Sequence, residues 1–124
     1  MTVVDTSIII DVLRGHPDAR AFLRRLREAG PVHASQMTRL EVLAGMRSIE
    51  EQATRALLDL FVWHSLDEEI AELAGELGRR WLPAHGGIDS ADLVIAATAK
   101  RLDMNLASRN VRHFPMFAGL QSPY

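Results

Sequence analysis

The chain has 124 residues, 48% of them apolar, which is enough for one compact domain around a single core and too little for a second. A formal net charge of −2 excludes the broad positive field of a protein that coats nucleic acid unselectively, although local patches among the 14 basic residues stay compatible with it. The absence of cysteine excludes disulfides, thiolate nucleophiles and zinc–thiolate centres, so any metal must be bound by oxygen or imidazole, which favours hard divalent ions.

No apolar stretch approaches the ~20 residues that cross a bilayer, and no basic start followed by an apolar block and a cleavage site is visible. A cytoplasmic protein without membrane contact is expected. Residues 2–6 (TVVDT) read as a buried strand, because their apolar residues are continuous and β-branched, and Asp5 falls at its C-terminal end. SIIIDVLRG predicts a helix with Ser7 as N-cap and Gly15 as stop. Pro17 opens a second helix that closes at Gly30-Pro31. In that helix Ala19, Phe22, Leu23 and Leu26 make one apolar stripe, and Arg20, Arg24 and Arg27 share the opposite, solvated face.

PVHAS predicts a second strand, and Ser35 is placed to cap the helix QMTRLEVLAGMRS. A helix over about 49–60 and a strand in FVWHSL follow. DEEIAELAGELGRRW predicts a helix with carboxylates near its positive N-terminus and arginines near its C-terminus, so Glu68, Glu69, Glu72 and Glu76 need no catalytic explanation. LPAHGG is a loop, DSADLVIAATAKRL an alanine-rich helix, and MNLAS a fourth strand before RNVRHFP. Strands separated by helices predict an α/β fold: a three-layer α/β/α sandwich around a central, mainly parallel sheet of four to five strands, spanning 1–124 as one domain.

Sites in such folds gather outside the C-terminal strand edge. Asp5 ends the first strand there and Asn110 follows the fourth. The helix beginning near Asp89 must run antiparallel to the strands, so Asp89 and Asp92 join the same edge. Glu41 shares a helical face with Met37, Leu40 and Ala44, while Arg39 and Val42 point elsewhere, which sets a carboxylate within an apolar stripe. Val42, Leu43 and Met46 add apolar surface on the far side of that helix, which calls for a cover: a neighbouring helix, a second subunit or an antitoxin. Asp89 reads equally well as an N-cap, with Asp92 as its capping-box partner. Unpaired acids so placed cost several kcal/mol unless compensated, and four of them in one place point to a single metal ion. Magnesium or manganese suits such all-oxygen ligands.

VVDTSIIID, TRLEVLAG, DSADLVIAATAKRL and LASRNVRHF resemble, in order and spacing, the PIN-domain ribonucleases, and especially the VapC-type toxins of bacterial toxin–antitoxin pairs. The resemblance covers nearly the whole chain. It implies the three-layer fold, a Mg2+- or Mn2+-dependent endoribonuclease, dimeric assembly, and inhibition by a cognate antitoxin protein. It matches Asp5 and Asp92 to the metal-holding aspartates and Glu41 to the helical glutamate, with Asp89 an auxiliary acid. It aligns Thr6 and Ser7 with the hydroxyl pair after the first aspartate. Where many members carry an acid after the last strand, this chain has Asn110, with His113 three positions later. The implied chemistry is water attack on an RNA phosphodiester, leaving a 5′-phosphate and a 3′-hydroxyl, with Arg14, Arg39, Arg109 and Arg112 as candidate phosphate contacts. His16, His33, His64, His85 and His113 are expected to be structural or solvent-facing. The rival reading from another class is a catalytically silent PIN-fold interaction module, against which the retention of Asp5, Glu41 and Asp92 weighs.

Overall fold

Four short strands form the centre of the molecule: β1 (Thr2–Val4), β2 (Val32–Ser35), β3 (Val62–His64) and β4 (Asn105–Ala107). The computed structural model describes residues 1–124. All strand pairs are parallel, in the order β3-β2-β1-β4, so the sheet has the lower of the two expected strand numbers and no antiparallel edge. Between the strands lie α1 (Thr6–Leu13), α2 (Pro17–Ala29), α3 (Gln36–Ala44), α4 (Glu51–Leu58), α5 (Glu68–Trp81) and α6 (Ser90–Arg101).

Neighbouring residues of β1 face opposite layers. Val4 packs with Ile8, Ile9, Leu23 and Leu58, from α1, α2 and α4, on one side of the sheet. Val3 packs with Ile70, Ala74, Ile95 and Phe114, on the α5 and α6 side. This continuous burial of β1 is what its unalternating apolar run requires. Ala96, Ala97 and Ala99 are fully buried on α6, and their small side chains let that helix lie close to the strands.

Local signals set most boundaries. Pro17 occupies the first turn of α2, and His16 Nδ1 accepts from the Ala19 N–H at 3.4 Å. Gly30, at φ 148°, carries the chain out of that helix in a conformation few other residues adopt. Ser35 caps α3 by accepting from the Met37 N–H at 3.0 Å, and Asp67 caps α5 by accepting from the Ile70 N–H at 2.9 Å.

Several expectations need correction. α1 begins two residues earlier than a Ser7 cap would place it, with Asp5 in the N-cap position, and Ser7 lies inside the helix. The helix expected over about 49–60 is α4, Glu51–Leu58, entered through a single 3-10 turn at Ser48–Glu50. The loop at LPAHGG opens with another such turn, Leu82–Ala84. In α3 the buried face is Thr38 and Val42, and Leu40 is 60% exposed. The stripe expected from Met37, Leu40, Glu41 and Ala44 is therefore not the core face, because α3 packs its Thr38–Val42 side against the domain. Val42 is covered by the protein's own core and needs no second subunit. The arginines of α2 are exposed as expected, and Arg20, Arg24 and Arg27 also border a groove of about 540 Å3 lined by Leu23, Leu57 and Leu60.

His33 and His64 stack across β2 and β3, with Nδ1 of His33 2.8 Å from Nε2 of His64. Nε2 of His33 is buried without a partner. Burial, and then repulsion from His64, hold the His33 imidazole below its ordinary value of 6.5. Since the folded-state value is depressed, the unfolded chain takes up this proton first. Stability tied to neutral His33 is thus whole above pH 6.5 and is lost as pH falls from there through the folded-state value. Denaturant titrations between pH 8 and about 5 should show this loss, and His33→Gln should flatten the slope.

Candidate active site

β1 lies between β2 and β4, and Val4 of β1 is in register with Ala107 of β4. The residues that follow these two strands, Asp5 and Ser108, are consequently brought side by side although 103 positions separate them. The chain leaves β1 toward β2 and β3 and returns to the other flank of β1 as β4, so the order in which strands are added reverses at this point, where open α/β sheets form a crevice.

Asp5 is only 3% exposed. Its backbone N–H continues the sheet ladder to the Ala107 carbonyl at 2.9 Å. Oδ2 accepts from the Ser7 hydroxyl at 2.8 Å and from the Ser108 hydroxyl at 2.7 Å. These two serines in turn accept from backbone N–H groups, Ser7 from Arg109 at 3.1 Å and Ser108 from Asn110 at 2.9 Å. The carboxylate also sits at the N-terminal end of α1, where the helix dipole favours negative charge. Two hydrogen bonds and a helix end therefore compensate a charge that would otherwise be costly to bury.

Asp92 is 7% exposed in the first turn of α6. It and Asp89 form a reciprocal capping box: the Asp92 N–H donates to Asp89 Oδ1 at 2.8 Å, and the Asp89 N–H donates to Asp92 Oδ2 at 3.1 Å. Asp89 is exposed and engaged in this cap. Desolvation pushes the Asp92 carboxyl up to about 6, with the Asp89 and Asp5 charges adding to the rise and the Asp89 N–H and His113 opposing it. Asp5 and Asp92 are thus near enough to repel. Each keeps one oxygen, Oδ1, without a hydrogen bond from the protein. Two buried carboxylates that repel, each with a free oxygen, make an all-oxygen donor pair that fits a hard divalent cation retaining several waters.

Glu41 reaches the same region from α3 and is half-buried. Its Oε1 accepts from the Thr6 hydroxyl at 2.7 Å, and Thr6 shares a 3.0 Å hydrogen bond with the buried Thr38 hydroxyl. No group of three acidic or imidazole side chains is arranged to hold one ion directly, which corrects the expectation that one ion gathers four carboxylates. Asp5 and Asp92 form the coupled pair, with Glu41 fixed by Thr6 and Asp89 acting as the cap.

Two residues escape sequence reasoning. Ser108 is fully buried against Asp5, and its signal is the register of β1 with β4, invisible until the strands are paired. His113, expected to be structural or solvent-facing, has Nδ1 3.2 Å from Asp92 Oδ2 and so flanks the site. Asn110 is exposed, with only its backbone N–H tied to Ser108. Among the candidate phosphate contacts, Arg39 lies over the Trp63 ring at 4.3 Å and donates to Gln36. Arg109 pairs with Asp11 at 3.1 Å beneath the Tyr124 ring. Arg14 and Arg112 are exposed and make no ion pair.

The PIN domain family matches this chain over residues 2–119. The sequence is 46% identical over 125 aligned positions to ribonuclease VapC19 of Mycobacterium tuberculosis, with 100% of both chains covered. It is 40% identical to ribonuclease VapC10 of the same organism, covering 100% of this chain and 93% of that relative. Among solved structures, a toxin–antitoxin complex from Klebsiella pneumoniae superposes with a TM-score of 0.83 at 30% identity, covering 100% of this chain and 98% of that one.

The network around Asp5 predicts that Ser108→Ala lowers stability by about 1–3 kcal/mol, because it removes a donor from a buried carboxylate and an acceptor from the Asn110 N–H. Urea denaturation of the metal-free protein checks this, with a wild-type midpoint counting against the network.

Proposed function

Since the chain belongs to the PIN-domain family, we propose that it is an endoribonuclease that serves as the toxin of a toxin–antitoxin pair. The observation that carries this reading is the Asp5–Asp92 pair at the C-terminal sheet edge, two buried carboxylates each with a free oxygen. Their chemistry suits metal-assisted hydrolysis of a phosphodiester better than it suits a surface for protein contact alone. The curated relatives are named ribonucleases, and the solved neighbour is described as a toxin–antitoxin complex, which supports RNA as substrate and an antitoxin protein as partner.

In this proposal Asp5 and Asp92 hold Mg2+, or Mn2+, which when bound supplies positive charge against the phosphate oxygens and makes a nearby water more acidic. Ser7 and Ser108 fix the Asp5 carboxylate, and Asp89 fixes Asp92 through the capping box. Glu41, oriented by the Thr6 hydroxyl, takes the proton of the attacking water. The water oxygen bonds to phosphorus, the bond from phosphorus to the 3′ oxygen breaks in line, and that oxygen leaves to become a hydroxyl with a proton from solvent. Of the four candidate arginines, Arg14 and Arg112 are assigned to phosphates of the bound strand, whereas Arg39 and Arg109 are already engaged within the protein. His113 steadies Asp92 through Oδ2, the same oxygen that the Asp89 N–H reaches.

A homodimer belongs to the same proposal. Leu40 at 60% and Ile49 at 89% exposure leave apolar surface on and after α3 that a second copy can cover. Light scattering at high protein concentration should give twice the monomer mass, and a monomer there would remove this part of the proposal. No helix is long and apolar enough to cross a membrane.

The decisive experiment incubates antitoxin-free protein with a mixed pool of structured RNA in Mg2+ or Mn2+. Cleavage should yield 5′-phosphate ends, stop with chelator and with Asp5→Asn, and slow by about 10²–10⁴-fold in Glu41→Gln. A folded protein that cuts nothing in either metal would sink the ribonuclease reading.

A further inference from the structure

Beside Glu41 the surface opens into a cleft of about 310 Å3 between α1, α3 and the start of α4. That volume lies at the lower end of the ~300–1,000 Å3 typical of small-ligand sites, so it admits one nucleotide-sized group and excludes a helix or a duplex. Leu13, Val42 and Met46 supply apolar walls, and Arg14 and Arg47 stand at its border. Arg47 is held there by Glu50, with Nε 3.2 Å and Nη2 3.5 Å from the carboxylate oxygens. Arg14 is exposed and has no such partner.

Thr54 adds a second, independent sign. Only 2% of this residue is exposed, it lines the cleft, and its hydroxyl makes no hydrogen bond. Threonines inside helices usually satisfy themselves on the carbonyl one turn back, as Thr98 does on Val94 at 2.8 Å. A hydroxyl left open in an otherwise buried side chain offers one donor and two acceptor positions to whatever enters.

We propose that this cleft is a nucleotide subsite: it receives the base of an unpaired RNA residue flanking the scissile phosphate, between the apolar walls, with the Thr54 hydroxyl on the base edge and Arg14 on the adjoining phosphate. The proposal rests on the ribonuclease reading above and deepens it. Glu41 is shared by the cleft and by the carboxylate cluster, so a strand seated in the crevice passes directly from one to the other. Single-stranded RNA is read in this way, by splayed bases packed on side chains and bonded at their edges, whereas duplex RNA cannot present a base to a pocket. The cleft therefore selects loops and unpaired stretches over helices.

Gly45 gives a clean means of closing it. This residue lines the cleft at φ −91°, a conformation open to any residue, and a Cβ there would meet nothing nearer than the Glu41 carbonyl oxygen at 3.7 Å. Gly45→Phe should fill the space, and Thr54→Val should keep the shape while removing the hydroxyl. The test is steady-state cleavage of labelled single-stranded oligonucleotides that vary at the positions flanking the cut, with circular dichroism as the check on folding. Gly45→Phe is expected to raise KM by about tenfold or more with a much smaller change in kcat. Thr54→Val is expected to change the ranking of bases beside the cut. Should wild-type protein cleave while both folded variants keep its KM and its base ranking, the subsite is wrong and the ribonuclease reading stands. Should Gly45→Phe fail to fold, Thr54→Val alone decides through its base ranking. Wild-type protein that cleaves no RNA would overturn both.

Discussion

A negative charge at the end of a buried strand is the constraint around which this molecule is organised. Asp5 follows Val4, a residue with no exposed surface, and would carry an uncompensated charge into the sheet edge were it not for Ser7 on one side and Ser108 on the other. That requirement fixes β4 against β1, fixes the loop after β4 through the Asn110 and Arg109 N–H groups, and sets α1 with its N-terminus at the carboxylate. Using both serines on Oδ2 leaves Oδ1 for a ligand. The same hydrogen bonds that make burial tolerable thus also orient the chemistry, in the manner of outer-sphere groups around a metal ligand.

Asp92 meets the same constraint by a different route. It has no serine pair; a helix cap holds one of its oxygens, and burial, helped by the Asp89 and Asp5 charges, pushes it toward the neutral form. One carboxylate is well compensated and the other poorly, an imbalance that the proposed cation would relieve. Glu41 is held instead by the Thr6 hydroxyl, which itself meets Thr38, and this separate anchoring suits the separate tasks proposed for it and for the aspartates.

Most of the framework was readable before any strand was paired. Pro17, Gly30, Ser35 and Asp67 mark helix boundaries through properties of single residues, and the β-branched run before Asp5 needs only local periodicity. The four acids were legible because their positions contradict the apolar segments around them. The surroundings of Glu41 were not. A helical wheel shows two half-apolar faces on α3, and only packing chooses Thr38 and Val42 over Met37 and Leu40. Ser108 and His113 were hidden for a related reason: a serine and a histidine in a loop acquire meaning when register sets them against Asp5 and Asp92. Arg39 and Arg109 show the converse, since free arginines in the sequence prove to be spoken for by Trp63 and by Asp11 with Tyr124.

The span of 103 residues between Asp5 and Ser108 has a consequence in time. Synthesis delivers the N-terminal part first, at roughly 5–20 residues per second. Through most of that interval β1 has no partner on its β4 flank, and neither Ser108 nor His113 has been made. Until then the Asp5 carboxylate has the Ser7 hydroxyl but not the Ser108 hydroxyl to compensate it. The compensation of this buried charge is thus completed late in synthesis, when β4 docks beside β1 and brings Ser108 to the carboxylate.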